Sequence, residues 1–368
     1  MELKQWKDVL HIISGKNQSA VVDPNGKYPI YGSGGLMGYA NDYLCEAGTT
    51  IVGRKGTINR PIFVNEPFWN IDTAFGIVPG EDINPRYLYY FCVHFNFMPL
   101  DKSTGRPSLA KGDLLKIYMP VPSLPEQERI VARIEEMFSQ LDAGVETLKK
   151  TKAQLAVYRQ AVLKEAFSNL TIKKRIREMS SLVTSGSRGW AQYYSDNGAR
   201  FIRITDLTRD GIQLKNDSVQ YVKLPDKAEG KRSRLLNGDV LVSITADLGS
   251  IALIPEDIEE AYINQHIAMV RFNNPSQGEF MAWYLRSEWG QKDLLKNKRG
   301  GGKLGLGLDD IRDTSVPVVS DAIARQAIAY IDNRLSVCDS IEQTVNTALQ
   351  QAEAMRQSIL KDAFEGRL

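Results

Sequence analysis

The chain contains Tyr158-Arg159-Gln160-Ala161-Val162-Leu163-Lys164-Glu165-Ala166-Phe167 and repeats it 197 positions later as Met355-Arg356-Gln357-Ser358-Ile359-Leu360-Lys361-Asp362-Ala363-Phe364. At the same offset, Asp142 upstream of the first copy matches Asp339 upstream of the second. A repeat of this kind indicates two copies of one unit, each a long segment followed by a helix.

Both copies carry apolar residues at heptad spacing. Counting in steps of four and three from Ile130, only Gly144 and Thr151 interrupt the apolar series in the first copy, and only Arg334 in the second. Such a period, kept over about five heptads, is typical of a coiled-coil seam. A helix over about 126–167 cannot bury this stripe alone, so we expect the two helices to pair antiparallel. The alternative is that each helix packs on its own domain.

The long segments between the helices resemble each other weakly. Each contains a Gly-led β-like run, then a short aromatic helix and a loop rich in glycine and basic residues, which predicts an α+β domain. The matching parts are 48–53 and 238–243, 86–91 and 280–285, and 103–107 and 299–303. The domains have diverged further than the helices, which suggests two binding surfaces with different targets.

The predicted fold class is therefore α+β: two α/β domains separated by two long helices that form an antiparallel coiled coil, with a pseudo-two-fold internal repeat. The predicted boundaries are 1–122 for the first domain, 123–170 for the central helix, 171–318 for the second domain and 319–368 for the C-terminal helix.

Composition excludes several classes of protein. The net charge is only +2, so a protein that gripped DNA alone through many phosphates should be more basic. The sequence has no run of 18 apolar residues and no signal-peptide pattern at its start, so we expect no membrane span and a cytoplasmic location. The three cysteines lie far apart without a CxxC pair, which argues for a reducing compartment and against structural zinc.

No catalytic motif survives a test of its context. Gly300-x-Gly302-x-x-Gly305 has dinucleotide-loop spacing but follows a probable helix rather than a strand. The acidic residues and lysine within 225–231 are too close in sequence to surround a metal ion. His11 and His94 lie in apolar stretches and are interpreted as core or boundary residues. We therefore predict a non-enzyme without cofactor or metal.

Four stretches resemble the specificity subunits of Type I restriction–modification systems. Leu124-Pro125-Glu126-Gln127-Glu128-Arg129 and its continuation to Glu135 resemble the start of their central helix, and 358–368 resembles their C-terminal end. The segment from Tyr28 to Thr57 resembles one class of their target-recognition domains, and 201–207 resembles another. There are two departures. The second repeat has 321–326 in place of the Pro-Glu-Gln start, and the second domain lacks a counterpart of Trp6.

The resemblance implies that each domain reads one half of a split double-stranded DNA site. It also implies that two methyltransferase subunits dock on the chain and methylate adenine, and that motor-nuclease subunits join them for cleavage. Two alternatives stay open: the DNA-reading subunit of another methylation or restriction system, and a coiled-coil assembly scaffold without DNA readout.

The candidate DNA contacts are basic or polar residues in turns and loops, where phosphate or base contacts are feasible. A solvated surface is the alternative for each. Arg203 and Thr205 are expected to share one face of a strand, and Gln265 and His266 to face DNA from a polar–apolar alternation. The full set is Tyr31, Ser33, Arg54, Lys55, Arg60, Thr104, Arg106, Arg203, Thr205, Gln265, His266, Lys298, Arg299 and Lys303.

Overall fold

A computed structural model describes residues 2–224, 232–296, 298 and 304–368. The chain divides into two compact units, one made of Met1–Lys150 with Val345–Leu368 and the other of Thr151–Thr344. The boundaries between these units lie at 150 and 344, inside the two long helices. They do not test the predicted division into four parts at 122, 170 and 318, which stays a prediction.

The elements of unit 1 are β1 Leu3–Gln5, α1 Trp6–Val9, β2 Leu10–Ser14, β3 Tyr28–Gly32, β4 Gly35–Ala40, β5 Thr49–Gly53, β6 Ile62–Val64, β7 Trp69–Asn70, β8 Ala74–Pro79, α2 Pro85–His94, α3 Lys111–Leu114, β9 Tyr118–Pro120 and the start of α4 Leu124–Phe167. They form a four-stranded antiparallel sheet in the order β2-β8-β5-β6 and a three-stranded sheet in the order β4-β3-β7, in which β3 and β7 are parallel.

Unit 2 repeats this plan. Its elements are β10 Lys173–Arg175, α5 Ile176–Met179, β11 Ser180–Ser185, β12 Tyr194–Ser195, β13 Ala199–Ile202, β14 Tyr221–Val222, β15 Val240–Ser243, β16 Ile251–Leu253, β17 Ala261–Ile263, β18 Ile267–Phe272, α6 Gly278–Arg286, α7 Glu288–Leu294, α8 Leu308–Asp313, β19 Ser315–Pro317 and part of α9 Asp321–Phe364. One sheet has the order β11-β18-β15-β16, and the second has the order β12-β14-β13-β17, in which β13 and β17 are parallel.

Each unit buries one short aromatic helix against its sheet and its long-helix segments. In unit 1, α2 starts at a side-chain cap, because Asn84 accepts from two backbone N–H groups and Pro85 occupies the first helical position. Tyr87 of α2 then shares one core with Val52 of the sheet and Ile134 of α4. In unit 2, the corresponding core joins residues of α6, the sheet and both long helices. The predicted α+β fold with duplicated domains is confirmed.

Trp6 does have a structural counterpart in the second domain, Ile176, which the sequence comparison did not identify. Both side chains are fully buried. The backbone N–H of Trp6 donates to Ile117 O at 2.9 Å, and that of Ile176 donates to Thr314 O at 2.9 Å. The position requires a buried apolar side chain and does not require the same residue, so the two sequences gave no match there.

The start of each long helix is tied to the segment before the short helix, but by different residues. Buried Gln127 of α4 accepts from Asn84 N and donates to Asp82 O, each at 2.8 Å. At the start of α9, Asp321 accepts from Gln277 Nε2 at 2.6 Å. The second repeat therefore lacks the Pro-Glu-Gln pattern but keeps a side-chain hydrogen bond at this place, made by Asp321 instead of Gln127.

Both helices have 44 residues and run antiparallel within each unit. Arg356 pairs with Asp142 in unit 1, and Arg159 pairs with Asp339 in unit 2. These pairs are counterparts at the 197-residue offset, so the pseudo-symmetry extends to side chains.

The heptad seam is only partly as predicted. Ile134 and Ile331 are fully buried, but Tyr158 and its counterpart Met355 are 41% and 55% exposed. Tyr158 still contacts the partner helix, because the Arg334 guanidinium donates to its hydroxyl at 3.1 Å.

None of the helices that the structure describes is long and apolar enough to cross a membrane.

Candidate nucleic-acid interface

Three turns of unit 1 meet at one end of its sheets. Ser33, in the turn after β3, donates from its hydroxyl to Lys55 O at 2.7 Å and from its backbone N–H to Thr73 Oγ1 at 3.4 Å. Arg54, in the turn after β5, donates from its backbone N–H to Thr73 O at 2.8 Å. Residues that are distant in sequence thus form one continuous surface.

The loop 101–108 completes this surface. Gly56 N donates to Pro107 O at 2.8 Å, and Lys55 forms a β-bridge with Ser108. The guanidinium of Arg106 lies on Gly56, where an added Cβ would be only 2.6 Å from Nη2. We name the assembly of residues 33–34, 54–56, 72–73 and 101–108 rim 1.

One carboxylate closes the loop of rim 1. Asp101 Oδ1 accepts from Ser103 N at 3.0 Å, from Ser103 Oγ at 2.8 Å and from Ser108 N at 3.0 Å. These bonds, led by the one from Ser108 N–H, lower the pKa of Asp101. The exposed residues Thr104 and Arg106 are therefore presented by a loop with defined ends.

Two lysines that the sequence did not single out lie beside rim 1. Lys102 and Lys111 line a cleft with Arg54, and Ser103 and Ser108 supply hydroxyl groups to it. Lys102 Nζ pairs with Asp113 Oδ2 at 2.8 Å and Lys111 Nζ donates to Ile12 O at 2.8 Å, so a phosphate oxygen in this cleft would compete with those partners for the lysines. The lysines are isolated in the sequence, so no local pattern could have identified them.

Two predicted residues of unit 1 are placed differently. Tyr31 packs edge-on against Phe68 with ring centroids 5.7 Å apart, and burial raises the pKa of its hydroxyl. Arg60 is exposed next to Asn59, whose side chain bonds to Asn96 and to the backbone of Phe97 rather than to rim 1. Contact of either residue with DNA stays a prediction.

Unit 2 builds an equivalent surface. Ile244 N donates to His266 O at 2.9 Å, as Arg54 N donates to Thr73 O in rim 1. Leu306 N donates to Ile244 O at 2.9 Å, as Leu109 N donates to Arg54 O at 2.8 Å. We name residues 244–246 and 265–266, together with Gly305, which forms a β-bridge with Thr245, rim 2. The predicted contacts Arg299 and Lys303 lie outside the described residues.

The strand prediction for Arg203 and Thr205 is wrong. Strand β13 ends at Ile202, and a 3-10 turn follows because Asp206 Oδ2 accepts from Arg203 N at 2.8 Å. The Arg203 guanidinium donates to Ser218 O at 2.7 Å, whereas the Thr205 side chain is exposed. The two side chains therefore do not share a strand face.

The described residues of rim 2 include no lysine, arginine or carboxylate, whereas rim 1 carries four basic and two acidic side chains: Arg54, Lys55, Lys102, Arg106, Asp72 and Asp101. Thr245, which the sequence analysis missed, contacts His266, and His266 contacts Gln265. Lys298 is exposed, and its backbone N–H donates to Leu295 O at 3.3 Å. Among the residues that the structure describes, no group of His, Cys, Asp and Glu side chains could hold a metal ion. The two rims thus share a backbone plan and differ in chemistry.

Comparison with known proteins agrees with this duplicated plan. A family described as the Type I restriction modification DNA specificity domain matches residues 1–156. The EcoBI specificity subunit of Escherichia coli is 24% identical over 352 residues, covering 86% of this chain and 73% of its own length. The StySPI specificity subunit of Salmonella potsdam is 26% identical over 350 residues with the same coverage. Residues 1–156 thus match the DNA specificity domain, and most of the chain is similar to Type I specificity subunits.

Solved structures share the fold of this chain. A chain from a study of complex assembly and conformational transition in the type I R-M system gives a TM-score of 0.78 at 16% identity, over 100% of this chain and 98% of that one. The HsdS subunit from Thermoanaerobacter tengcongensis gives 0.53 at 16% identity, over 100% and 97%. At these identities the likeness shows the fold alone.

Proposed function

We propose that this chain is a Type I specificity subunit that reads a bipartite double-stranded DNA site, with rim 1 on one half and rim 2 on the other. The observation that carries the proposal is the duplication of the rims: equivalent chain segments meet in both units but present different side chains. A major groove offers a different donor and acceptor pattern for each base pair, so different side chains on one scaffold select different bases.

The proposal assigns catalysis to partners and none to this chain. Two methyltransferase subunits would methylate adenine within the site, and motor-nuclease subunits would cleave DNA, all in the cytoplasm. The similarity to proteins known as specificity subunits supports this division of work. The net charge of +2 also supports it, because partners would then supply much of the phosphate contact.

Selection of bound DNA tests the proposal. The full chain, purified with its methyltransferase subunits, should select two short conserved sequences separated by an unspecified spacer. Arg106→Ala should alter one half only, at a cost of about 1–3 kcal/mol if the arginine reads a base. Selection of no sequence would favour the assembly scaffold. Methyl transfer or cleavage by the purified chain alone would contradict the assignment of catalysis to partners.

A further inference from the structure

Three neighbouring side chains of rim 2 form one chain of hydrogen bonds. Gln265 Nε2 lies 2.8 Å from His266 Nε2, and His266 Nδ1 lies 2.6 Å from Thr245 Oγ1. Gln265 and His266 are half-buried at the rim, so part of each side chain stays accessible to a ligand.

The donors in this chain can be assigned from chemistry. An amide nitrogen only donates, so His266 Nε2 accepts from Gln265 and carries no proton. The proton of the neutral ring is then on Nδ1, which donates to Thr245 Oγ1. The backbone holds the same residue in place, because His266 N donates to Asn264 Oδ1 at 3.1 Å and His266 O accepts from Ile244 N at 2.9 Å.

This bond also orients the Gln265 amide. With one N–H directed at the ring, the amide has its carbonyl Oε1 and its second N–H left for a ligand. An adjacent acceptor and donor match the N6 amino group and N7 of adenine in the major groove. Resting on the function proposed above, we propose that Gln265 determines specificity in rim 2 by reading an adenine, with His266 and Thr245 as positioning residues.

Orientation matters because an unrestrained glutamine amide can turn over and exchange its donor and acceptor. The imidazole bond removes that freedom before DNA arrives and reduces the entropy lost on binding. In rim 1, the register of β5 and β8 places Lys55, Asp72 and Thr73 at the equivalent positions, so no amide is available there. The adenine contact is therefore specific to rim 2.

The test uses the full chain with its methyltransferase subunits and a DNA library randomised in both halves. Gln265→Ala should reduce the preference for adenine at one position of one half by about tenfold or more. Gln265→Glu presents acceptors only, so the preference there should move to cytosine, whose N4 amino group donates. Gln343→Glu, an equal charge change at an exposed position of α9, should leave every base preference unchanged.

The positioning role has its own readout, the ratio of adenine to other bases. His266→Leu removes the acceptor and should lower this ratio. His266→Gln, whose Oε1 reaches about as far as Nε2, should keep most of it. A purely structural role would instead weaken binding in both variants and leave the ratio unchanged, which would overturn the positioning assignment.

A measurement on unmodified protein makes the test independent of variant folding. Replacing the adenine by 7-deazaadenine removes the N7 acceptor and should weaken binding about tenfold. If no two-part site is selected at all, the proposed function fails. A second outcome is that a two-part site is selected, but Gln265→Glu changes no base preference and 7-deazaadenine is tolerated at every adenine of the half read by rim 2. That outcome would overturn the inference about Gln265 and leave the proposed function standing.

Discussion

Replacing Gly56 by alanine tests whether the backbone of rim 1 positions Arg106. Gly56 has a φ of +86°, a left-handed conformation that costs an L residue about 1–2 kcal/mol. Alanine also lowers the conformational entropy of the unfolded chain, which stabilises the folded protein by about 0.4–1 kcal/mol. Gly56→Ala should therefore lower the free energy of unfolding by about 1 kcal/mol. The clash itself adds little to this loss, because the group that the new methyl would meet is the mobile end of the Arg106 side chain.

The larger effect of Gly56→Ala should be on DNA reading. The new methyl group would lie 2.6 Å from Arg106 Nη2, so the guanidinium must move away. If Arg106 reads a base from this position, discrimination in the half read by rim 1 should fall by about 1–3 kcal/mol, while the other half stays unchanged. Denaturant unfolding gives the first quantity, and selection from a randomised library gives the second.

Two controls sharpen this experiment. Ala246 is the equivalent residue of rim 2 and has a φ of +58°, so Ala246→Gly relieves strain and should leave the half read by rim 1 unchanged. In an Arg106→Ala background, adding Gly56→Ala should cause no further loss of discrimination. Full discrimination by the Gly56→Ala variant, or an equal loss in both halves, would refute the reasoning.

Four further predictions concern stability, pairing, spacing and pH. Gln127→Ala removes the buried amide that bonds the part-buried backbone of Asp82 and Asn84, and should lower the free energy of unfolding in urea by about 1–2 kcal/mol. Asp142→Arg and Arg356→Asp together reverse the ion pair and should recover the stability that either single change loses. Because the pair is partly exposed, the coupling energy in a double-mutant cycle should be below about 1 kcal/mol. Inserting seven residues after Lys150 and at the matching point of α9 adds about 10 Å of helix and should lengthen the selected DNA spacer by about three base pairs; an unchanged spacer would show that the helices do not set it. The pKa of Asp101 is lowered, so its carboxylate should hold loop 101–108 in place at any pH above the ordinary aspartate pKa of about 4. This order should be lost as the pH falls through the lower pKa of the folded protein, which amide chemical shifts of the loop would report.

The sequence by itself determined the long helices and the duplication. A 3.5-residue apolar period is a local signal, because each turn of a helix must place its apolar residues on the same side. The repeat at an offset of 197 residues further indicated two equivalent units, and turn chemistry selected Ser33, Lys55 and Arg106 as candidate contacts. These properties depend on residues close in the chain, so they could be read without coordinates.

Only the tertiary structure decided which candidates lie together and how each is held. Strand pairing between distant segments brings Ser33, Lys55 and Arg106 to one rim, and the same pairing sets Thr245 beside His266. It also engages Arg203 with the 206–218 segment, which a strand pattern could not reveal. The physical reason is that register and burial arise from contacts between residues far apart in sequence, and several different side chains can satisfy each such contact.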